Sequence, residues 1–176
     1  MDDHACKIRV GARGVFVATG TYPTAVLQKM WAEGERLALS PGEALEHLDG
    51  LIKYLESFEF APTSKYFGAI AFADWTPTGP TVAGAKLTMY QGRFVFSREL
   101  RDWRSQKDFG AGYFVLGVDS AVSNADLTNP RQFAQLIDRV ITQATADPTV
   151  GGPIDMIQVD ARGPRWLRQK AECRTR

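Results

Sequence analysis

The side chains best suited to chemistry in this sequence are a few isolated acids, bases and thiols. Asp147 ends a predicted helix, where the negative end of the helix dipole opposes a carboxylate, so a partner cation is expected there. Asp119 follows a predicted strand closely and is interpreted either as a cleft residue or as a solvated loop acid. His4 and His47 have no neighbours at the spacing of metal ligands, so neither a metal nor a cofactor is expected.

Nucleophile candidates are few. Met1 is followed by Asp2, so no nucleophile stands at the terminus as written. Cys6 is the candidate nearby, but Lys7 beside it would point to the opposite face of a strand. Taken alone, Lys7 is interpreted as an exposed strand lysine. Cys6 and Cys173 lie at opposite ends of the chain, and two alternatives stay open: free thiols in a reducing compartment, or a bridge in an exported protein.

The bulk properties are those of one ordinary globular domain spanning residues 1–176. Hydrophobic residues make up 44% and charged residues 23%, which argues against disorder. The net charge of +1 gives no reason to expect nucleic acid or an anionic membrane as a partner. The sequence has neither a signal-peptide pattern nor an apolar run of about 18 residues, so the chain as written is predicted to be cytoplasmic and not membrane-spanning.

Hydrophobic periodicity and turn residues predict the elements that must position these side chains. The predicted strands cover residues 7–10, 15–18, 67–75, 82–90, 93–96, 113–116, 154–159 and 166–167. These assignments rest on the alternation of apolar and polar residues and on short apolar runs. The stretch 67–75 in particular is predicted to be covered on both faces.

Three helices are predicted between the strand runs. The first covers about 23–37, and the second begins near Ser40, with Ser40 as the cap and Glu43 completing a capping box. The third follows Asn129 and ends near Asp147. Strand runs that alternate with helix runs indicate an α+β fold in which helices pack on sheets in layers.

The order of these elements, together with three local motifs, resembles one known family. The motifs are Lys7 on the first strand with Gly20 ending the returning strand, Gly117 ending a later strand, and Asp147 before the paired glycines 151–152. They are similar to those of the proteasome β-type subunits and the bacterial proteasome-like peptidases, which are N-terminal-nucleophile hydrolases. The resemblance covers nearly the whole chain, from about residue 7 to residue 166.

The resemblance implies both a fold and a site. The family folds as two stacked antiparallel sheets between two helical layers, so a layered αββα sandwich that is N-terminally incomplete is expected. By resemblance, Lys7 would lower the pKa of the nucleophile, the Gly20 amide would serve the oxyanion hole, and Asp147 would lie near the nucleophile. The residues implied to line the substrate-binding cleft are Ala18, Thr21 and Asp119.

The sequence also departs from the family pattern. The family nucleophile is a threonine at the mature N-terminus, about a strand pair upstream of the lysine, and only six residues precede Lys7. Val118 and Val150 stand where the family often has serines, and residues 118–128 are too short and polar for its long helix. The chain as written is therefore expected to be an inactive threonine-type peptidase or amide hydrolase domain.

Two other functions stay open at this point. The chain could be a non-catalytic subunit that keeps the layered fold for assembly, or an unrelated α+β binding module built on a single sheet. Because absent strands would bare sheet edges and an apolar face, self-association into a homo-oligomer is predicted. A peptide is the substrate that the resemblance implies.

Overall fold

The computed structural model describes residues 6–21, 24–59, 67–101 and 155–173. The predicted strand over 113–116, the predicted third helix, Asp119 and Asp147 lie outside these ranges. The described elements are β1 Ile8–Val10, β2 Gly14–Thr21, α1 Thr24–Leu39, α2 Ala44–Glu56, β3 Phe67–Thr76, β4 Gly79–Tyr90, β5 Arg93–Arg101, β6 Met156–Asp160, β7 Gly163–Arg168 and a short 3-10 helix Ala171–Cys173. Every strand and helix predicted within the described ranges is present, but most bounds differ: β2, β4, β5 and β7 are each longer than predicted, and α2 begins later.

Strands β1 to β5 form one antiparallel sheet in which neighbours along the chain are also neighbours in space. The register places Phe16 of β2 opposite Phe72 of β3, and Phe72 opposite Ala83 of β4. Residues directly opposite each other point to the same face of a sheet. This register therefore collects the even-numbered side chains of β2 and β3 on one apolar face.

Both helices cover that face, where α1 packs on β1 and β2, and α2 packs on β3, β4 and β5. The ring centroid of Phe16 lies 4.9 Å from that of Phe72 and 5.1 Å from that of Trp31 on α1. Each fully buried side chain of this size stabilises the fold by roughly 1.5–3 kcal/mol through loss of apolar surface. The largest fully buried side chains are Phe16, Phe72, Met30, Leu48, Leu51, Leu55, Ile70 and Leu87.

The predicted start of the second helix is wrong by one turn. Ser40 belongs to the end of α1, since its N–H donates to the Leu37 carbonyl at 2.9 Å and its hydroxyl to the Arg36 carbonyl at 2.8 Å. The N-cap of α2 is Glu43, whose N–H donates to the Glu46 carboxylate at 3.1 Å. The predicted capping box therefore exists three residues later, because the turn between the helices uses residues 40–42.

The opposite face of the sheet is covered by the hairpin of β6 and β7. These two strands form a separate sheet, and β6 contacts β3 while β7 contacts β2. On this face Val15, Ala69 and Ala71 are buried. Farther along, on β4 and β5, the same face is open, with Tyr90 66% and Val95 49% exposed.

A disulfide joins Cys6 to Cys173, with their Cα atoms 5.7 Å apart and a sequence separation of 167. Of the two alternatives that the sequence left open, the bridge is the one observed. The two ends of the described chain meet because Cys6 immediately precedes Lys7 and β1, whereas Cys173 ends the 3-10 helix after β7. Neither sequence position nor spacing could have shown this proximity.

These elements establish a mixed α+β fold, which confirms the predicted class. One face of an antiparallel five-stranded sheet carries two helices, and the other carries a two-stranded hairpin. The second helical layer of the expected αββα sandwich would have to come from residues outside the described ranges. Among the described helices, neither is long and apolar enough to cross a bilayer.

Candidate functional site

Lys7 and Ala18 are direct neighbours across the first two strands. The Ala18 N–H donates to the Lys7 carbonyl at 3.1 Å, which extends the β1–β2 ladder by one residue. Both side chains therefore point to the helix-covered face of the sheet. Ala18 is buried in the core there, and the Lys7 side chain is half-buried.

Gly20 lies two residues beyond Ala18, at the exposed end of β2. Its φ of 131° is in the region that favours glycine. Ladder hydrogen bonds alternate between the two sides of a strand, and Ala18 bonds to β1. By this alternation the Gly20 amide faces the β1 side, so it shares one end of the sheet with Lys7.

The structure does not describe the side chains of the other predicted site residues. Thr21 is the last residue of β2, and its side chain is not among those described. Asp119 and Asp147 lie outside the described residues, so their predicted roles stay predictions. Of the six residues singled out from the sequence, Lys7 and Ala18 are therefore direct neighbours, and Gly20 lies two residues farther along β2.

A cleft of about 270 Å³ lies beside β1 and the Cys6–Cys173 disulfide. Its walls include Ile8 and Val10 on the strand, Trp166 on β7, and the bridged Cys6 and Cys173. The sulfur of Cys6 is consumed in the bridge, so it is not a free nucleophile in this state. Cys6 is a candidate nucleophile by its position in the sequence, but the bridge excludes that role in the oxidised chain.

Arg9 closes the outer edge of β1 at this cleft. Its guanidinium donates to the backbone carbonyls of Cys6 at 3.2 Å and Ile8 at 3.3 Å, and lies 4.6 Å from the centroid of the Trp31 ring. A cation held over an aromatic face and over edge carbonyls is stabilised by both. It also blocks the addition of another strand to this edge.

The acidic wall of the cleft is formed by Glu35 and Asp155. The Asp155 carboxylate accepts a hydrogen bond from the Lys170 N–H at 2.7 Å, whereas Glu35 is exposed on α1. Charges of both signs therefore face a space the size of a small polar ligand. This lining contains no free nucleophile among the described residues.

A second polar cluster lies beneath α2 and was not predicted from the sequence. His47 is 6%, Asp74 6% and Thr81 5% exposed, and the last two are opposite each other on β3 and β4. His47 Nε2 and Thr81 Oγ1 have no hydrogen-bond partner. Burial without a partner destabilises a polar group by about 1–3 kcal/mol, so this cluster opposes folding.

The electrostatics of the cluster centre on Asp74. Burial raises the pKa of its carboxyl. The hydrogen bond from the Trp75 N–H at 2.6 Å and the charges of His47 and Arg13 lower it, while Glu43 raises it further, and burial prevails. Perturbed acids of this kind are enriched at functional sites, although structural clusters show them too.

Two sequence signals could have found this cluster. His47 falls at the helical spacing of Ala44, Leu51 and Leu55, which are all buried on α2. Asp74 is the charged residue within the otherwise apolar stretch of β3. A polar residue on a predicted core face is more informative than the apolar residues around it.

No metal centre is found among the described residues, since they contain no group of three or more His, Cys, Asp and Glu side chains placed to hold one ion. A scan against protein-family models and searches of curated proteins and of solved structures found no match to this chain. The function must therefore be argued from the site itself.

Proposed function

We propose that this chain is a proteasome-like N-terminal-nucleophile hydrolase domain that acts on peptide or other amide bonds. The observation that carries the proposal is the placement of Lys7 directly across from Ala18, at the same end of the sheet as the Gly20 amide. A cation and a backbone donor facing one region are two of the parts that a threonine-type hydrolase needs.

Each of these groups would have its own role in the reaction. The ammonium group of Lys7 favours the deprotonated form of a hydroxyl nucleophile placed beside it. The Gly20 N–H donates to the oxygen that becomes negatively charged when the carbonyl is attacked. The nucleophile and its α-amine base are not supplied by Met1 or Asp2, so the chain as written is proposed to be inactive.

The layering of the described elements supports the same proposal. A five-stranded antiparallel sheet is covered by two helices on one face and by strands on the other. The proposal requires a second helical layer over β6 and β7, for which the predicted helix ending near Asp147 is the candidate.

A non-catalytic assembly subunit is the second candidate. It is favoured by the exposed apolar side chains Tyr90 and Val95, which lie on one face of β4 and β5. The valines at 118 and 150, in place of the hydroxyls usual in the family, support the same alternative. A subunit of this kind would bind other copies and would have no peptidase activity.

The disulfide bears on the compartment in which the protein works. Disulfides persist in oxidising environments and are rare in the reducing cytoplasm. The bridge between Cys6 and Cys173 therefore supports the exported alternative that the sequence left open, over the cytoplasmic prediction.

The decisive experiment uses the chain in frame with whatever its gene encodes immediately upstream. Hydrolysis of fluorogenic peptide amides is measured, with a β-lactone probe and mass spectrometry to locate the nucleophile. Lys7→Ala should lower kcat/KM by about a hundredfold or more, as removal of a group that activates the nucleophile does. Lys53→Ala, which removes an exposed lysine of α2, is the matched control and should leave activity unchanged.

Three results would count against the hydrolase. They are a stop codon directly upstream of Met1, a probe adduct on a residue other than an N-terminal threonine, and full activity in Lys7→Ala. Melting curves of Lys7→Ala and Lys7→Arg separate loss of catalysis from loss of folding. Absence of activity in every form, together with a ring-sized assembly in light scattering, would instead establish the non-catalytic subunit.

A further inference from the structure

The Cys6–Cys173 disulfide connects two parts of the molecule that share no strand ladder. Within the described ranges, β6 and β7 pair only with each other, and β1 to β5 form the other sheet. The bridge runs from the residue preceding Lys7 to the last residue of the 3-10 helix that follows β7. It is therefore a covalent tie between the hairpin and the edge of the five-stranded sheet.

Apolar burial holds the hairpin less firmly than it holds the strands of the main sheet. Among the side chains of β6 and β7 that are described, none is buried, and Leu167 is 53% exposed. Strand β3, by contrast, buries Ile70 and Phe72 almost completely. Since the stabilisation scales with the apolar area removed from water, the hairpin is attached far more weakly than the strands of the main sheet.

The segment after β7 is fastened to its own hairpin. The Lys170 N–H donates to Asp155, which immediately precedes β6, at 2.7 Å. The Gln169 side chain donates to the Cys173 carbonyl at 2.8 Å. These bonds make the hairpin and the 3-10 helix one unit, which would move together if the bridge opened.

The bridge is also within reach of small reductants. Cys6 and Cys173 both line the 270 Å³ cleft, and Cys6 is only half-buried. A dithiol that enters this cleft can attack one sulfur as a thiolate and form a mixed disulfide, which its second thiol resolves. The reaction breaks the S–S bond, leaves two protein thiols, and converts the dithiol to its own disulfide.

We propose that the Cys6–Cys173 bridge is a redox-sensitive clamp that holds the β6–β7 hairpin on the sheet and releases it on reduction, while β1 to β5 and the two helices stay folded. Release uncovers the buried face that carries Val15, Ala69 and Ala71, and it widens the cleft beside β1. This inference is independent of the proposed hydrolase activity, because it concerns a covalent tie and the packing beneath it.

Hydrogen exchange on the full chain, oxidised and reduced with a dithiol, tests the clamp. Reduction should speed exchange of the amides at 156–168 by roughly tenfold or more, and the amides at 69–73 and 82–88 should stay much better protected than those of the hairpin, because the hairpin opens at a lower free energy than the main sheet. The double variant Cys6→Ser/Cys173→Ser should exchange like the reduced protein and should not respond to the dithiol. Peptide mapping without reductant establishes that the bridge is present at the start.

Four outcomes would overturn the clamp. Unchanged exchange at 156–168 after complete reduction would show that packing alone holds the hairpin. Loss of protection at 69–73 in parallel with the hairpin, or failure of the double serine variant to fold, would make the bridge a staple of the whole fold. Two free thiols in protein purified without reductant would remove the premise.

Discussion

Asp74 is the residue whose chemistry departs most from its surroundings. It lies on a strand whose neighbouring positions are apolar, and it is buried beneath α2 beside His47. The raised pKa follows from burial, which disfavours the charged carboxylate. In the folded state the carboxyl therefore binds its proton more tightly than in the unfolded chain, where an ordinary aspartate has a pKa of about 3.9.

This shift predicts the pH dependence of Asp74→Asn. Stability from the raised pKa is fully present below the unfolded pKa and is lost as the pH rises through the folded pKa. Asp74→Asn should therefore raise the melting temperature at neutral pH, and the gain should vanish in acid. The new amide oxygen can still accept from the Trp75 N–H. Thermal melts across the acid-to-neutral range measure both effects.

Thr81→Val is the matched control at the same site. It removes a buried hydroxyl without a partner and keeps the shape of the side chain, so it should stabilise by about 1 kcal/mol at every pH. A lower melting temperature for Asp74→Asn at neutral pH would contradict the account, because it would mean that the carboxylate makes a stabilising contact.

At the scale of the helices, each of the two helices contains one glycine, and the space around these two glycines differs. Gly34 of α1 lies directly against the ring of Phe16, which an added Cβ would overlap. Gly50 of α2 faces only the flexible end of Leu37, which an added Cβ would approach to 3.4 Å. Helix propensity favours alanine over glycine at both positions, so packing must decide the outcome at each.

Gly34→Ala and Gly50→Ala are therefore expected to differ in sign. Gly50→Ala should stabilise by about 0.5–1 kcal/mol, because alanine loses less conformational entropy in a helix. Gly34→Ala should destabilise by about 1–3 kcal/mol, because the overpacked ring of Phe16 has to move. Urea denaturation gives both free energies of unfolding. Equal effects would show that α1 shifts freely on the sheet.

At the scale of the whole molecule, the two faces of the five-stranded sheet are covered by different elements. Among the described elements, the two helices cover one face and the hairpin covers part of the other. The bridge across 167 residues also restricts the unfolded chain, which by chain entropy stabilises the folded state by about 5 kcal/mol. Reduction should therefore lower global stability in addition to releasing the hairpin.

The open part of this face predicts self-association. Tyr90 and Val95 are 66% and 49% exposed on the outer face of β4 and β5, and apolar side chains on an open sheet face favour contact with another copy. Light scattering at increasing concentration should show an assembly that Tyr90→Ser/Val95→Thr dissociates at least in part. Leu39→Ser, at an exposed position on α1, is the control and should leave the size unchanged. A wild-type chain that stays monomeric at high concentration would refute this interface.

Local pattern was sufficient for most of the described elements and for part of the site. The period of Leu48, Leu51 and Leu55 predicted the buried side of α2, and the run at 67–75 predicted a strand covered on both faces. The position of the α2 cap was missed because two overlapping capping patterns, at Ser40 and at Glu43, compete within the same turn. Local preferences alone do not rank such alternatives.

The sequence by itself determined the class of fold and the order of the described elements. The 3.6-residue period of a helix and the 2-residue period of a strand depend only on residues that are close in the chain. The pairing of Cys6 with Cys173, the contact of His47 with the Asp74 region, and the placement of Lys7 opposite Ala18 are different in kind. Each depends on which residues the sheet register and the helix packing bring together across long separations. Those proximities come from the collective burial of the core, which only the tertiary structure decides.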